Sequence, residues 1–214
     1  MPDYTIKCWN NKSFDFDSLD FTHEAVTVNQ YPAAADYVRL YALYTEGGIY
    51  LDSDVNVFKS FNVFLHNRFF CGTEAFDVQG RTQYRMEAAI MGAEAGHPFL
   101  KECMEYYEQT HFIKADGTYD NTIRVMPAVI SSKAEKYKYQ YINSEQHLDN
   151  SISIYPTSYF SNTICYDTEN SKKLYALHQN AASWMDYSGR GRLFHFCRKY
   201  DLMKLYHIVE KLHK

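Results

Sequence analysis

Residues 33–54 constrain the fold of this chain more than any other stretch, because signals for a helix, a glycine turn, a strand and two acidic residues follow one another without a gap. Large apolar and aromatic side chains recur in the first half at the spacing of one helix face: Tyr37, Leu40, Tyr41 and Tyr44. Gly47 and Gly48 then supply the backbone freedom that ends a helix. The apolar run 49–51 predicts a short buried strand.

Asp52 and Asp54 directly follow this predicted strand. Side chains in extended chain alternate with a period of two, so both carboxylates are expected on one face, with Ser53 pointing away. Open α/β sheets bind ligands at the carboxyl ends of their strands, and paired carboxylates there suit Mg²⁺ or Mn²⁺ with a phosphorylated substrate. Acidic pairs also arise by chance in solvated loops, but the preceding glycines and apolar strand favour a metal site.

Further along the chain, strand-like and helix-like patterns alternate. Strands are expected at 4–8, 69–74, 88–92, 152–154 and 174–178, helices from Pro98 and from about Pro127 to Tyr137, and a loop at 79–85. This alternation predicts an α/β sheet with helices on its faces. The 214 residues fit one domain, 1–214, which is expected to end in a basic helix at about 198–213.

Composition excludes several classes of function. The net charge of −4 argues against nucleic acid as a partner, because phosphate neutralisation needs a basic face. The five widely spaced cysteines contain no C-x-x-C pair, which favours a reducing cytoplasm over a disulfide framework. No leader peptide and no apolar run near the roughly 20 residues of a membrane span is present. The basic C-terminal segment predicts either a solvated helix face or peripheral contact with an anionic membrane surface.

The segments 35–39 and 47–55 together resemble the sugar-binding region of DXD glycosyltransferases, specifically glycosyltransferase family 32. That family includes bacterial capsular polysaccharide enzymes and fungal mannosyltransferases, and it shares this core with the clostridial glucosylating toxins. The resemblance extends over about 2–184, because Gly96-His97-Pro98 is similar to the start of a later family helix and His178 with Ser183-Trp184 is similar to the late motif of the family. It implies a GT-A-like fold.

The resemblance also implies the roles of the residues around the acidic pair. Asp52 and Asp54 would hold Mn²⁺ or Mg²⁺, which neutralises the charge that develops on a nucleoside diphosphate as the glycosidic bond breaks. Asp36 would accept hydrogen bonds from sugar hydroxyls and, with Asp54, belong to the catalytic residues, while Arg39 would hold sugar or phosphate. Gly48 would belong to the same substrate site. The alternative for Asp36 and Arg39 is an ion pair on a helix surface.

His178, followed by Ser183 and Trp184, resembles the late motif of the family. A lone histidine is more often a satisfied core residue than a ligand. The resemblance instead implies a loop that closes on the diphosphate, with His178 as a third metal ligand. Asn180 and Ser183 compete for that ligand role, and Ser183 and Trp184 would contact the substrate.

Two further residues of the sequence are candidates for a role, and one segment that is usual in the family is missing. Glu74 either faces the substrates or faces solvent, and His97 is expected to be structural. Family members usually begin with an additional strand and helix ahead of the segment equivalent to 2–10, and these normally contribute to the nucleotide base pocket. The chain therefore resembles a GT-A-like domain that lacks the usual first strand.

Together these expectations describe a metal-dependent, retaining glycosyltransferase, either free in the cytoplasm or peripheral to the membrane's inner face. It would move a hexose from a UDP- or GDP-linked donor to a saccharide or lipid-linked acceptor in surface polysaccharide synthesis. One alternative is a sugar-nucleotide-binding protein with impaired catalysis. A second is a phosphatase of the haloacid dehalogenase type with Asp52 as nucleophile, although Asn56 stands where that motif needs Thr or Val.

Overall fold

The computed structural model describes residues 3–118, 125–162 and 173–179, which lie in one compact unit, Met1–Gln179. The α-helices of this part are α1 (Asp20–Thr27), α2 (Tyr31–Glu46), α3 (Pro98–Glu108) and α4 (Met126–Ala134). Its strands are β1 (Gly48–Leu51), β2 (Val55–Val57), β3 (Phe69–Val78), β4 (Arg81–Ala93), β5 (Gln146–Leu148), β6 (Ile152–Tyr155), β7 (Phe160–Asn162) and β8 (Ala176–His178).

The described strands form two sheets. The larger has the order β1-β4-β3-β6-β5, in which β3 and β6 are parallel and the other neighbours are antiparallel. The smaller has the order β2-β8-β7, with β2 antiparallel and β7 parallel to β8. The predicted mixture of helices and strands is confirmed as a mixed α/β fold, but antiparallel pairing dominates the larger sheet.

Helix α2 and strand β1 form where the sequence predicts them, although β1 is only partly buried and not fully buried as expected. Pro32 stands in the first turn of α2, where its missing N–H costs nothing, and the predicted stripe is buried at Tyr37 and Leu40. Gly47 ends the helix with φ +69°, and its N–H donates to the carbonyl of Leu43 at 2.9 Å. A Cβ at Gly47 would lie 2.8 Å from the backbone nitrogen of Ala95, so this position also permits close backbone contact.

Two sequence-based expectations are wrong. Residues 3–9 are not a strand, and Ile6, expected on a buried strand face, is 94% exposed. The expected loop at 79–85 is instead a tight turn at Gln79 and Gly80, which have φ of 54° and 77°, followed directly by β4. Left-handed backbone at both turn residues matches the twist of a two-residue hairpin, and the hairpin extends β3 to Val78.

The remaining predicted elements are placed as expected or lie outside the described residues. His97 is structural: its Nδ1 accepts from the N–H of Phe99 at the start of α3, and its Nε2 donates to the carbonyl of Asn150 at 3.2 Å. The helix expected at 198–213 lies outside the described residues, and the single domain 1–214 stays a prediction. None of the helices in the described ranges is long and apolar enough to cross a membrane.

We expect Gly47→Ala to destabilise the protein more than Gly80→Ala. Both glycines have left-handed backbone, which costs an alanine about 1–2 kcal/mol, but the space at Gly80 is open to beyond 4 Å. The clash with Ala95 should add roughly 1–3 kcal/mol at Gly47. Urea denaturation of both variants measures the difference, and equal losses would show that α2 and β1 are not held as closely as described.

Candidate functional site

Asp52 and Asp54 lie in a tight turn between β1 and β2. The N–H of Asp52 donates to the carbonyl of Ala89 on β4 at 2.9 Å, and the N–H of Val55 donates to the carbonyl of Asp52 at 3.1 Å. The expectation that extended chain aligns the two carboxylates is therefore wrong, since the backbone turns between them. The turn nevertheless directs both carboxylates towards the same third residue.

That third residue is His178, at the end of β8. Antiparallel pairing sets Val55 opposite His178, and the N–H of Gln179 donates to the carbonyl of Asp54 at 3.0 Å. His178 Nε2 lies 3.4 Å from Asp54 Oδ1 and 3.9 Å from Asp52 Oδ2. One ligand atom from each of the three residues lies within 4.8 Å of the others, the separation that a single bound cation needs.

The chemistry of these donors fits a divalent cation. Carboxylate oxygens suit Mg²⁺ and Mn²⁺, while imidazole nitrogen suits transition metals. Burial lowers the pKa of His178, but the carboxylates of Glu87, Asp54 and Asp52 outweigh it and raise the pKa above its ordinary value of 6.5. The site therefore has strongly negative surroundings, and a cation bound between the carboxylates would offset their repulsion.

Arg39 connects α2 to this turn. Its Nη2 lies 3.1 Å from Asp36 Oδ1, and its Nη1 lies 3.2 Å from Asp52 Oδ1 and donates to the carbonyl of Ala88 at 3.0 Å. The guanidinium packs over the ring of Tyr50, 4.8 Å from its centroid. Arg39 is only 8% exposed, so its pair with Asp36 is not the solvated surface pair that the sequence left open.

Asp36 is held at the junction of two helices. Burial raises the pKa of its carboxyl to about 6, while Arg39 and the N–H of Met126, the first residue of α4, act in the opposite direction. Burial thus favours the protonated form more than in a free aspartate. An ionised carboxyl accepts hydrogen bonds, and a protonated one can also donate.

The structure does not bring every predicted site residue together. Gly48 stands at the opposite end of β1 from Asp52. Glu74 is not exposed to solvent and lies beside the site: it pairs with Arg85, and burial raises the pKa of its carboxyl, while the charges of Arg85 and His178 act in the opposite direction. Asn180, Ser183 and Trp184 lie outside the described residues, so their expected contacts stay predictions.

Two residues of the site were missed by the sequence analysis. Tyr50 donates its hydroxyl to Asp52 Oδ1 at 2.6 Å, and Glu87, which is 1% exposed, places Oε1 3.2 Å from His178 Nδ1. Burial raises the pKa of Glu87 to about 7, and His178 opposes that shift. The signal for Glu87 was available, since a lone acidic residue stands in the apolar run of β4.

Comparison with known proteins finds a family that matches the first part of the chain. Residues 1–70 match the family described as glycosyltransferase sugar-binding region containing DXD motif. The chain is 32% identical over 103 residues to inositol phosphoceramide mannosyltransferase 3 of Schizosaccharomyces pombe, covering 46% of this chain and 27% of the relative. It is 35% identical over 112 residues to an uncharacterized protein of Arabidopsis thaliana, covering 51% of this chain and 16% of that protein.

The first third of the chain is therefore similar to the glycosyltransferase sugar-binding region with a DXD motif, and part of the chain is distantly similar to a mannosyltransferase. The matched range contains α2, Asp52 and Asp54, but not His178. The aligned part spans about a quarter or less of the curated relatives that the chain matches. The resemblance expected over 2–184 is thus supported for its first part.

We expect Arg39→Met to lower the free energy of unfolding by roughly 3–5 kcal/mol, because it leaves two largely buried carboxylates without their cation. Arg39→Lys keeps the charge but loses the fork that bridges them, and should cost less. Arg68→Met is the matched control, since Arg68 pairs with Glu94 at the surface and should cost about 1 kcal/mol or less. Urea denaturation measures all three, and equal losses at both arginines would contradict the bridging role.

Proposed function

We propose that this chain is a metal-dependent glycosyltransferase with a GT-A-like fold that transfers a hexose, such as mannose, from a nucleoside-diphosphate sugar. The observation that carries the proposal is the convergence of Asp52, Asp54 and His178. The first two belong to the region that matches the glycosyltransferase family. A cation held at this turn would neutralise the negative charge that develops on a diphosphate leaving group.

Asp52, Asp54 and His178 would hold Mn²⁺ or Mg²⁺, which neutralises charge on the departing diphosphate. The two oxygens of Asp52 have different surroundings. Oδ1 accepts the Tyr50 hydroxyl and contacts Arg39, whereas Oδ2 is the atom nearer His178. Tyr50 and Arg39 would therefore fix the carboxylate so that Oδ2 is directed at the cation before substrate binds.

Asp36 would contact the hexose. Its carboxyl remains partly accessible, with 21% of the side chain exposed, and Arg39 fixes its orientation. A carboxyl held in this way can accept a hydrogen bond from a sugar hydroxyl. Arg39 forms ion pairs with Asp36 and Asp52. It would therefore affect donor binding chiefly by orienting these two carboxylates. Ser183 and Trp184 are also proposed to contact the substrate, whereas Gly48, at the far end of β1 from Asp52, is not.

The acceptor is proposed to be a saccharide or a lipid-linked saccharide. Support for a lipid comes from the name of the fungal relative, which is a mannosyltransferase of inositol phosphoceramide. We propose retention of anomeric configuration, with the leaving phosphate assisting deprotonation of the acceptor. The stereochemistry of the product, determined by NMR, tests this point, and an inverted product would contradict it.

The experiment compares wild-type protein with Asp52→Asn, Asp54→Asn and His178→Ala. We expect Mn²⁺-dependent release of nucleoside diphosphate from UDP- or GDP-hexoses by the wild type, abolished by EDTA and restored by added Mn²⁺. Each variant should lose activity on the order of 10²-fold or more, because a group that stabilises the leaving charge is lost. Asp17→Asn is the control, since Asp17 is exposed and precedes α1.

Two results would overturn the proposal. The protein would be a binding protein if it bound a nucleotide sugar in a metal-dependent way but released no diphosphate, whichever donor and acceptor were supplied. Hydrolysis of p-nitrophenyl phosphate that is lost in Asp52→Asn would identify a phosphatase.

A further inference from the structure

The imidazole of His178 stands between two sets of carboxylates. Its Nε2 faces Asp54 Oδ1 at 3.4 Å and Asp52 Oδ2 at 3.9 Å. Its Nδ1 faces Glu87 Oε1 at 3.2 Å. The first set belongs to the proposed cation site, whereas Glu87 lies on the opposite side of the ring, in β4. The two ring nitrogens therefore have separate partners.

The carboxylate of Glu87 is buried and has no well-aligned hydrogen-bond partner among the described residues. It is 1% exposed, and neither of its oxygens has a hydrogen-bond partner of good geometry among the described residues. The same holds for His178 Nδ1 within this part of the chain, although the distance to Oε1 is short enough for a hydrogen bond. A buried carboxylate without partners is unfavourable, so a small rotation that aligns Nδ1–H with Oε1 would satisfy both groups.

The backbone of β3 leaves room for this carboxylate. A Cβ at Gly72 would lie 3.0 Å from Glu87 Oε2 and 2.9 Å from the Cβ of Phe160. The pairing of β3 with β4 shifts between Cys71 and Thr73, at the same position. A side chain on residue 72 would therefore displace the carboxylate, so the space beside Glu87 depends on glycine.

We propose that Glu87 is a positioning residue for His178: it accepts a hydrogen bond from Nδ1–H and so holds the Nε2 lone pair towards a cation at Asp52 and Asp54. A histidine that ligates a metal must be neutral with its proton on the other nitrogen, and a carboxylate partner fixes that tautomer and the orientation of the ring. This inference rests on the proposed function, because it assumes that the cation binds there.

Glu74 provides the matched control. It is a second largely buried carboxylate on the neighbouring strand, but its partner is Arg85 and not the imidazole. Glu87→Gln and Glu74→Gln therefore remove the same formal charge close to the site. Only the first removes the carboxylate that faces His178.

The test measures Mn²⁺ binding to the full chain by electron paramagnetic resonance. We expect Glu87→Gln to weaken Mn²⁺ binding roughly 10- to 100-fold, with a much smaller effect of Glu74→Gln. In a His178→Ala background, Glu87→Gln should have almost no further effect, because the residue acts through the ring. Equal effects of the two glutamine variants, or an undiminished effect without the histidine, would overturn the inference.

A second measurement does not depend on affinity. The His178 resonances of ¹⁵N-histidine-labelled protein are assigned by their loss in His178→Ala. With Mg²⁺ present, they should show that Nδ1 carries the proton and that Nε2 is unprotonated. Glu87→Gln should shift the ring towards a mixture of tautomers. An unchanged tautomer and unchanged Mn²⁺ affinity in Glu87→Gln would overturn the inference and leave the proposed function standing. Failure of wild-type protein to bind Mn²⁺ would instead overturn the proposed function and, with it, this inference.

Discussion

The buried guanidinium of Arg39 joins the parts of the molecule on which the site depends. It contacts Asp36 on the same helix, Asp52 in the turn after β1 and the carbonyl of Ala88 on β4. Burying a cation without partners would be costly, so these contacts must form together for the helix to pack on the sheet. The contacts of Arg39 thereby couple the packing of α2 to the orientation of the Asp52 carboxylate. A surface turn alone would leave that carboxylate free to rotate.

The site concentrates negative charge where the two sheets meet. Asp52 directly follows β1 of the larger sheet, and Asp54 directly precedes β2 of the smaller sheet. His178 is the last residue of β8, the neighbour of β2. Glu87 adds a further carboxylate behind the imidazole. Like charges at such distances repel, and the proposed divalent cation would relieve that repulsion. This arrangement of acidic side chains suits the cation that we propose to bind there.

Local signals carried most of what the sequence predicted correctly. The stripe of α2, its glycine end and the strand after it depend on neighbours a few residues apart, and so does the cap that His97 provides. Expectations that depend on distant partners were wrong or missing. The alternation around Ile6 resembles a strand, but no strand of the described residues pairs with it. Glu87 stands out in the sequence as an acid in an apolar run, but its partner is identified only when β8 brings His178 to it. The family resemblance, more than the periodicity, associated His178 with the acidic pair.

Asp52, Asp54 and His178 are proposed to hold a divalent cation together at the end of β1. Crystals grown with Mn²⁺ and a nucleoside diphosphate, with data collected near the manganese absorption edge, locate such a cation. We expect an anomalous difference peak within coordination distance of both carboxylates and of His178 Nε2, with the diphosphate on its open side. A peak held by other residues, or a diphosphate bound at this turn without a metal peak, would contradict it.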